Sequence, residues 1–211
     1  MNSEFRVILE SSSQPQQCDF PIFKIEFEAN TSFKSIQTER LHLRSWSDED
    51  IFTIHSIMQD PEVNYYLQKH KLDQLSQIQL IAKKSQENIL KHGYGYFICE
   101  SRDTGKVIGM VGLNHVNIDA EHFPCYTISW IFGKDCWGKG YATEAARALI
   151  KYGFEFLNLP KIFACTTWNN TASEKVMKRL EMNFIKTFEF PGFEKDDLFC
   201  NHLLYVKESK K

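Results

Sequence analysis

The sequence lacks an excess of charge of either sign. Its 211 residues carry 25 Lys+Arg against 27 Asp+Glu, which gives a formal net charge of −2. Nucleic-acid binding draws most of its affinity from clustered Lys and Arg side chains that neutralise phosphates. This balance of charge therefore argues against a DNA or RNA partner.

Long apolar runs are also absent. No window approaches 18 consecutive apolar residues, the length from which a membrane-spanning helix is inferred. Residues 1–6 lack the basic start and the following apolar run that mark a secretory signal. These two features predict a cytoplasmic protein without a membrane partner.

Metal-binding cysteine patterns are missing as well. The chain has six cysteines, and none forms a Cys-x-x-Cys pair or has a histidine at zinc-finger spacing. We interpret them as reduced and mostly buried thiols. We expect no metal.

What the sequence does have is ample apolar area, with 17 Phe, 8 Tyr and 4 Trp. This is enough to build the core of one large domain. The polar stretch 11–17 and an alternation of Phe23, Ile25 and Phe27 with charged residues set the start of the chain apart. We predict an N-terminal extension over residues 1–36 that contains one strand, and a main domain over residues 37–211.

Two kinds of apolar spacing alternate along the main domain. Helical spacing occupies about 48–58, 73–92 and 141–157, and a short helix follows Asn170. Strand-like alternation occupies the segments before, between and after these helices. Adjacent strands with inserted helices predict a mixed α/β fold.

The most informative segment is a strand that leads through a glycine-containing loop into a helix. The strand ends at Phe132, the loop spans residues 133–140, and the helix begins near Tyr141. Free N–H groups at a helix start carry partial positive charge, and Gly138 and Gly140 let a phosphate approach the backbone. The segment is therefore a candidate pyrophosphate site, although a tight connection that needs glycines would have the same pattern. Its spacing matches neither the P-loop nor the dinucleotide fingerprint.

Four short strings in the main domain occur in a characteristic order. They are Thr38-Glu39-Arg40-Leu41-His42-Leu43-Arg44, Asp60-Pro61-Glu62-Val63, Trp137-Gly138-Lys139-Gly140-Tyr141-Ala142-Thr143-Glu144-Ala145, and Asn170-Thr171-Ala172-Ser173 followed by Val176-Met177. With their separations, over about residues 38–205, they resemble the GCN5-related N-acetyltransferase (GNAT) family in its RimJ/RimL-like branch of ribosomal-protein-alanine N-acetyltransferases. The resemblance implies a mixed sheet of six to seven strands, about four flanking helices, and a splayed strand pair.

The resemblance also implies that acetyl-CoA, the co-substrate, lies between the splayed strands. The strand up to Phe132 would pair with the pantetheine arm, with Trp130 near the thioester. The family often has Gln or Arg where this chain has Asp135, so we expect backbone contacts to the pyrophosphate there. Lys139 would either pair with a phosphate or remain a solvated lysine. The implied CoA-binding residues are Trp130, Ile131, Phe132, Cys136, Trp137, Gly138, Lys139, Gly140, Tyr141, Ala142, Thr143, Asn170 and Ser173.

N-acetyl transfer requires a neutral amine to attack the thioester. A protein α-amine, with a pKa of about 7.7–8.0, is neutral at pH 7 to a far greater extent than a lysine amine at about 10.4. Backbone N–H groups near Trp130 are candidate donors for the oxyanion. No covalent enzyme intermediate is required.

The implied proton donor for the leaving thiolate is a serine. Many relatives place a tyrosine on the short helix, where this chain has Met177. In the ribosomal branch the serine of an Asn-x-x-Ser motif is the suggested acid, and Ser173 matches it. The same pattern also suits a plain helix start in which Asn170 is the cap.

The general base is assigned by position alone. The branch can carry a catalytic glutamate before the last strand, and Glu194 matches that position. Glu194 lies in a charged run, which is equally typical of a solvated surface. Glu189 and His115 are alternatives.

The end of the short helix departs from the family pattern. Relatives usually have Leu-Gly-Phe or Leu-Gly-Met there, whereas this chain has Leu180-Glu181-Met182-Asn183. A left-handed Glu181 would cost about 1 kcal/mol. We therefore expect the helix to run to Met182 and to end at Asn183.

These observations predict an acetyl-CoA-dependent N-acetyltransferase that acts on a primary amine, either a protein N-terminal α-amine or a small molecule. The missing tyrosine and glycine keep a second hypothesis open, a non-catalytic acetyl-CoA-binding or scaffolding module. Monomer and homodimer are both compatible with the sequence.

Overall fold

The computed structural model describes residues 24–27, 33–67 and 72–210. They form a mixed sheet of nine strands in the spatial order β1-β2-β3-β4-β5-β6-β7-β9-β8. Neighbouring strands are antiparallel except for the parallel pair β6 and β7. The strands are β1 (Lys24–Phe27), β2 (Phe33–Gln37), β3 (Leu41–Arg44), β4 (Gly95–Ser101), β5 (Val107–Val116), β6 (Cys125–Phe132), β7 (Lys161–Thr167), β8 (Asn183–Glu189) and β9 (Asn201–Glu208).

Helices cover both faces of the sheet. In the described ranges they are α1 (Asp48–Met58), α2 (Pro61–Asn64), α3 (Leu75–His92), α4 (Tyr141–Glu155) and α5 (Thr171–Arg179), with a 3-10 turn at Lys134–Cys136. The predicted mixed α/β fold is confirmed. The sheet has two strands more than the upper estimate, and the four-residue α2 adds a helix.

The extra strands come from the start of the described chain. The strand predicted around Phe27 is β1, and it pairs with the unpredicted β2, which in turn pairs with β3. Ile36 on β2 is fully buried. The sheet therefore continues across residue 36, where the composition changes.

Two apolar clusters hold the layers together. On one face Ala145, Leu149 and Tyr152 of α4 pack against the sheet. On the other face Ile54 of α1 and Ile78 of α3 are fully buried. The central strands β5 and β6 are thereby packed on both faces of the sheet. They form a rigid support for the loops at their ends.

The start of α1 and the end of α3 each have a characteristic local structure. The Asp50 carboxylate accepts hydrogen bonds from the Ser47 N–H (2.6 Å) and hydroxyl (2.8 Å) at the start of α1. At the end of α3, Gly93 adopts the left-handed conformation, with φ of 76°. Such a glycine is a common helix terminator because it lacks Cβ.

The prediction for the end of α5 is wrong. Glu181 itself is left-handed, with φ of 56°, and Asn183 already belongs to β8. The Met182 N–H bonds the Met177 carbonyl, and the Glu181 N–H bonds the Lys178 carbonyl. This is the Schellman arrangement, which places the apolar residue after the left-handed one against the helix. Met182 and Met177 are both buried, so tertiary packing overrides the backbone preference.

Three further findings concern membrane-spanning helices, metal-binding groups and cysteines. No helix in the described ranges is long and apolar enough to cross a membrane. His, Cys, Asp and Glu side chains of the described residues form no group of three that could hold a metal. The five described cysteines are free thiols, and Cys18 lies outside these ranges.

Candidate functional site

The sheet opens between its two parallel strands. Thr127 of β6 is registered opposite Phe163 of β7, and no other pair joins these strands in the described chain. The remainder of β6 continues to Phe132 along β5 alone. The splayed strand pair implied by the family resemblance is therefore present.

The open edge of β6 presents backbone groups to this space. The Gly133 N–H donates to the Ile108 carbonyl of β5 at 3.0 Å. Since successive residues of a strand point their polar groups to opposite sides, the N–H and C=O groups of Trp130 and Phe132 face away from β5. The Phe132 carbonyl accepts the Trp137 indole N–H at 2.8 Å. Trp130 is left with an N–H and a carbonyl directed into the opening.

The loop after β6 ends in an uncapped helix start. The first hydrogen bond of α4 runs from the Glu144 N–H to the Gly140 carbonyl at 3.0 Å. The N–H groups of Tyr141, Ala142 and Thr143 precede it, and no side chain caps this end. Unpaired N–H groups and the helix dipole together attract an anion.

Both glycines of the loop adopt backbone conformations that disfavour other residues. Gly138 and Gly140 have φ of 73° and 82°, in the region that other residues enter only with strain. A Cβ on Gly138 would meet no atom within 4 Å. Gly138 therefore faces open space, which a bound group can occupy.

One side chain at this helix start has an unsatisfied polar atom. The Thr143 Oγ1 is buried and has no hydrogen-bond partner among the described residues. A buried hydroxyl without a partner is costly, and a phosphate oxygen would satisfy it. The open N–H groups, the left-handed glycines and this hydroxyl therefore fit a diphosphate.

The remaining loop side chains are mostly solvent-exposed. Asp135 and Lys139 are exposed and Trp137 is 46% exposed. Burial raises the pKa of the half-buried Cys136 thiol, so this cysteine stays protonated. The groups at the helix start itself that are free to hold an anion are the uncapped backbone N–H groups and the Thr143 hydroxyl.

The opposite side of the opening is built by the end of β7 and the start of α5. The Asn170 side chain accepts a hydrogen bond from the Ser173 N–H at 3.1 Å. Parallel strands end at the same edge of a sheet, so this helix start lies at the edge from which the β6 loop leaves. Ser173 is half-buried, whereas Met177 is 1% exposed and belongs to the core. The structure thus brings Asn170 and Ser173 together.

The candidate bases are not brought into contact with these residues. Glu194 is exposed in the loop between β8 and β9, and its carboxylate makes no hydrogen bond or ion pair with a described residue. Glu189 is exposed at the end of β8. His115 is exposed on β5, where its ring lies 5.0 Å from that of Tyr126.

The end of the Glu194 loop that precedes β9 nevertheless lies close to the Asn170 side of the opening. The Phe199 ring packs edge-on to Tyr65 and Tyr66, with centroids 5.4 and 6.2 Å apart. The Tyr66 hydroxyl donates to the Asn169 carbonyl at 3.4 Å. Aromatic residues from two loops therefore border the Asn170 side of the opening.

Two hydroxyl groups that the sequence did not indicate meet beside the opening. Ser129 of β6 donates a hydrogen bond to the Tyr96 hydroxyl of β4 at 3.1 Å. Burial raises the pKa of Tyr96, although the Ser129 hydrogen bond opposes this, so the phenol is protonated at neutral pH. Alternation predicts strands but not their register, and the pairing across three strands was therefore invisible in the sequence.

Comparison with known proteins agrees with this architecture. A family model described as an acetyltransferase (GNAT) domain matches residues 40–183. The uncharacterized N-acetyltransferase p20 of Bacillus licheniformis is 34% identical over 147 residues, which is 70% of this chain and 81% of the relative.

Solved structures share the fold. An acetyltransferase (GNAT family) from Bacillus anthracis has a TM-score of 0.68 and 25% identity, covering 82% of this chain and 98% of its own. RimJ from Mycobacterium smegmatis in complex with CoA-disulfide has a TM-score of 0.65 and 18% identity, covering 80% and 82% of the two chains. The domain match, the aligned relative and the splayed strand pair make this chain a member of the GNAT family of acetyltransferases, the family that its motifs resemble.

Proposed function

We propose that the chain transfers the acetyl group of acetyl-CoA to a primary amine, either a protein N-terminal α-amine or a small-molecule amine, by direct attack on the thioester. The observation that carries this proposal is the open edge of β6, which is followed, after one short loop, by the uncapped start of α4. A strand edge followed by free helix N–H groups suits a ligand that has an amide-containing arm and a diphosphate at its end.

Each part of the site has a binding role in this proposal. The open edge of β6 at Trp130 and Phe132 receives the pantetheine arm, and Ile131 between them is paired with Met110 of β5. The loop residues Cys136, Trp137 and Lys139 border the diphosphate. Its oxygens accept hydrogen bonds from the N–H groups of Gly138, Gly140, Tyr141, Ala142 and Thr143, and from the Thr143 hydroxyl.

The catalytic roles fall on both sides of the opening. The acceptor nitrogen attacks the acetyl carbon, and the Trp130 N–H stabilises the negative oxygen that forms. As the carbon–sulfur bond breaks, Ser173 donates its hydroxyl proton to the departing sulfur and takes a proton from solvent in its place, and Glu194 accepts the proton lost by the nitrogen. Asn170 holds the helix start that carries Ser173.

The acceptor is inferred to be an amine that needs little help to lose its proton. An α-amine has a pKa of about 7.7–8.0 and is partly neutral at pH 7, which suits a site whose candidate base is exposed. RimJ, which shares the fold, was solved in complex with CoA-disulfide, and this supports a CoA ligand for this chain.

A turnover measurement and a binding measurement together test the proposed acetyl transfer. Thiol release from acetyl-CoA is followed with a panel of amines, and acetyl-CoA binding is measured by calorimetry. We expect turnover with a peptide that has a free N-terminus or with a small amine. Binding without turnover across the panel would instead support the non-catalytic module.

A pair of glycine variants locates the binding site. Gly138 and Gly105 both have positive φ, 73° and 66°, and both face open space. Gly138→Val and Gly105→Val therefore impose similar backbone strain. Binding should weaken at least tenfold in Gly138→Val and stay within twofold in Gly105→Val. Equal affinities of the two variants for acetyl-CoA would show that the diphosphate does not bind at this loop.

A further inference from the structure

A largely buried carboxylate joins the start of the main domain to helix α4. Glu144, in the first turn of α4, accepts a hydrogen bond from the Thr38 hydroxyl at 2.6 Å and from the Arg40 backbone N–H at 2.8 Å. Its second oxygen accepts from the Arg40 Nε at 2.7 Å and lies 2.6 Å from Nη2. The Glu144 side chain is 11% exposed. Two of the motifs found in the sequence are therefore bound to each other.

Arg40 also holds the loop that precedes α4. Its Nη1 donates to the Lys139 carbonyl at 2.9 Å, and its guanidinium lies over the Tyr141 ring, 4.7 Å from the centroid. In a planar trans peptide the carbonyl and the next N–H point in opposite directions. By holding the Lys139 carbonyl, Arg40 therefore turns the Gly140 N–H away from itself and fixes its direction.

The negative charge of Glu144 gives its ion pair with Arg40 a second effect on the proposed diphosphate site. A carboxylate near a helix N-terminus uses the same positive potential that an anionic ligand needs. Without a cation at its side, Glu144 would repel a diphosphate bound at the end of α4. Arg40 pairs with it and keeps the free N–H groups available to the ligand.

We propose that Arg40 is a positioning residue for the diphosphate, acting through Glu144 and through the Lys139–Gly140 peptide. This inference rests on the proposed binding of acetyl-CoA at the start of α4. Arg40 fixes the conformation and the local charge of the loop, and the backbone N–H groups contact the ligand.

The test compares two acetyl thioesters, of which only one contains the diphosphate. Acetyl-CoA has the diphosphate with the 3′-phosphoadenosine attached to it, and acetyl-pantetheine lacks both. In Arg40→Ala we expect the Kd for CoA to rise at least tenfold, while kcat/KM for acetyl-pantetheine stays within twofold of the wild type. A merely structural role would lower activity with both thioesters alike.

Two further variants guard against a loss of folding. Arg40→Lys keeps the charge but cannot bridge Glu144 and the Lys139 carbonyl with one planar group, so its Kd should rise at least threefold. Glu144→Gln in the Arg40→Ala background removes the uncompensated charge and should recover part of the lost affinity. Arg147→Ala is the matched control, because Arg147 lies on the same helix but donates to the Arg179 carbonyl. It should bind CoA like the wild type.

The outcomes separate this proposal from the one on which it rests. If the wild type binds no CoA, both proposals fail. If the wild type binds and Arg40→Ala and Arg40→Lys keep its affinity within twofold, the positioning role fails alone. An equal loss on both thioesters also overturns it.

Discussion

Thr127 of β6 faces Phe163 of β7 as the one registered pair between these strands in the described chain. Beyond it the strands part, and the Trp130 backbone is left with an N–H and a carbonyl in the gap. The site therefore consists largely of main-chain groups whose positions are set by strand pairing and helix packing.

Replacing Glu194 tests the proposed base. Glu194→Gln should lower kcat more than tenfold at pH 7, because an amide cannot accept the proton released by the amine. The affinity for acetyl-CoA should change little. Steady-state rates with a saturating amine, together with calorimetry, measure the two quantities.

Asp196→Asn is the control for that experiment, since Asp196 is exposed in the same loop. It should keep the wild-type rate. An unchanged rate in Glu194→Gln would remove this residue from the mechanism, and Glu189→Gln and His115→Ala would then be measured.

Ser173→Ala tests the proton donor. The Asn170 cap bonds the Ser173 backbone N–H, so the helix start should survive the loss of the hydroxyl. We expect kcat to fall roughly 100-fold and the KM for acetyl-CoA to stay within threefold. Thr171→Ala, at an exposed position of the same helix turn, should leave kcat intact. A drop in kcat of less than threefold in Ser173→Ala would assign the proton to another group.

The buried Asp50 should make stability depend on pH. Burial disfavours its charge, but hydrogen bonds from Arg44 at 2.7 and 2.9 Å and from Ser47 outweigh this and lower the pKa of Asp50. The unfolded state, with a pKa of about 3.9, then binds more protons than the folded state. The stabilisation is present above that pH and is lost as the pH falls through the folded pKa.

Asp50→Asn should therefore cost on the order of 2–3 kcal/mol of unfolding free energy at pH 7 and flatten the acid limb of the stability curve. Denaturant unfolding between pH 2 and 7 measures both. Asp48→Asn, an exposed neighbour in the same turn, should follow the wild type. A parallel decline of Asp50→Asn and wild type below pH 4 would contradict the linkage.

Glu181→Gly should stabilise the fold. The left-handed backbone at Glu181, with φ of 56°, suits glycine better than any residue with Cβ. We expect Tm to rise by about 2–4 °C. Glu181→Ala keeps the strain and loses the Lys207 contact at 3.1 Å, so its Tm should not rise. Equal Tm values for the two variants would show that the backbone is not strained.

The elements with strong apolar periodicity were predictable from the sequence, and the loop after Phe132 was predicted where it lies. The register that brings Ser129 to Tyr96 was not, because alternation does not specify which residues pair across strands. The left-handed Glu181 was missed because burial of Met182 decides that turn. The Arg40–Glu144 contact joins residues 104 positions apart, and no local spacing rule reaches that far.

A crystal structure of the CoA complex tests the central claim most directly. We predict that the diphosphate oxygens lie within hydrogen-bond distance of the N–H groups between Gly138 and Thr143, and that the pantetheine arm runs along the open edge of β6. Full CoA occupancy elsewhere, or none at this loop under saturating conditions, would contradict the account.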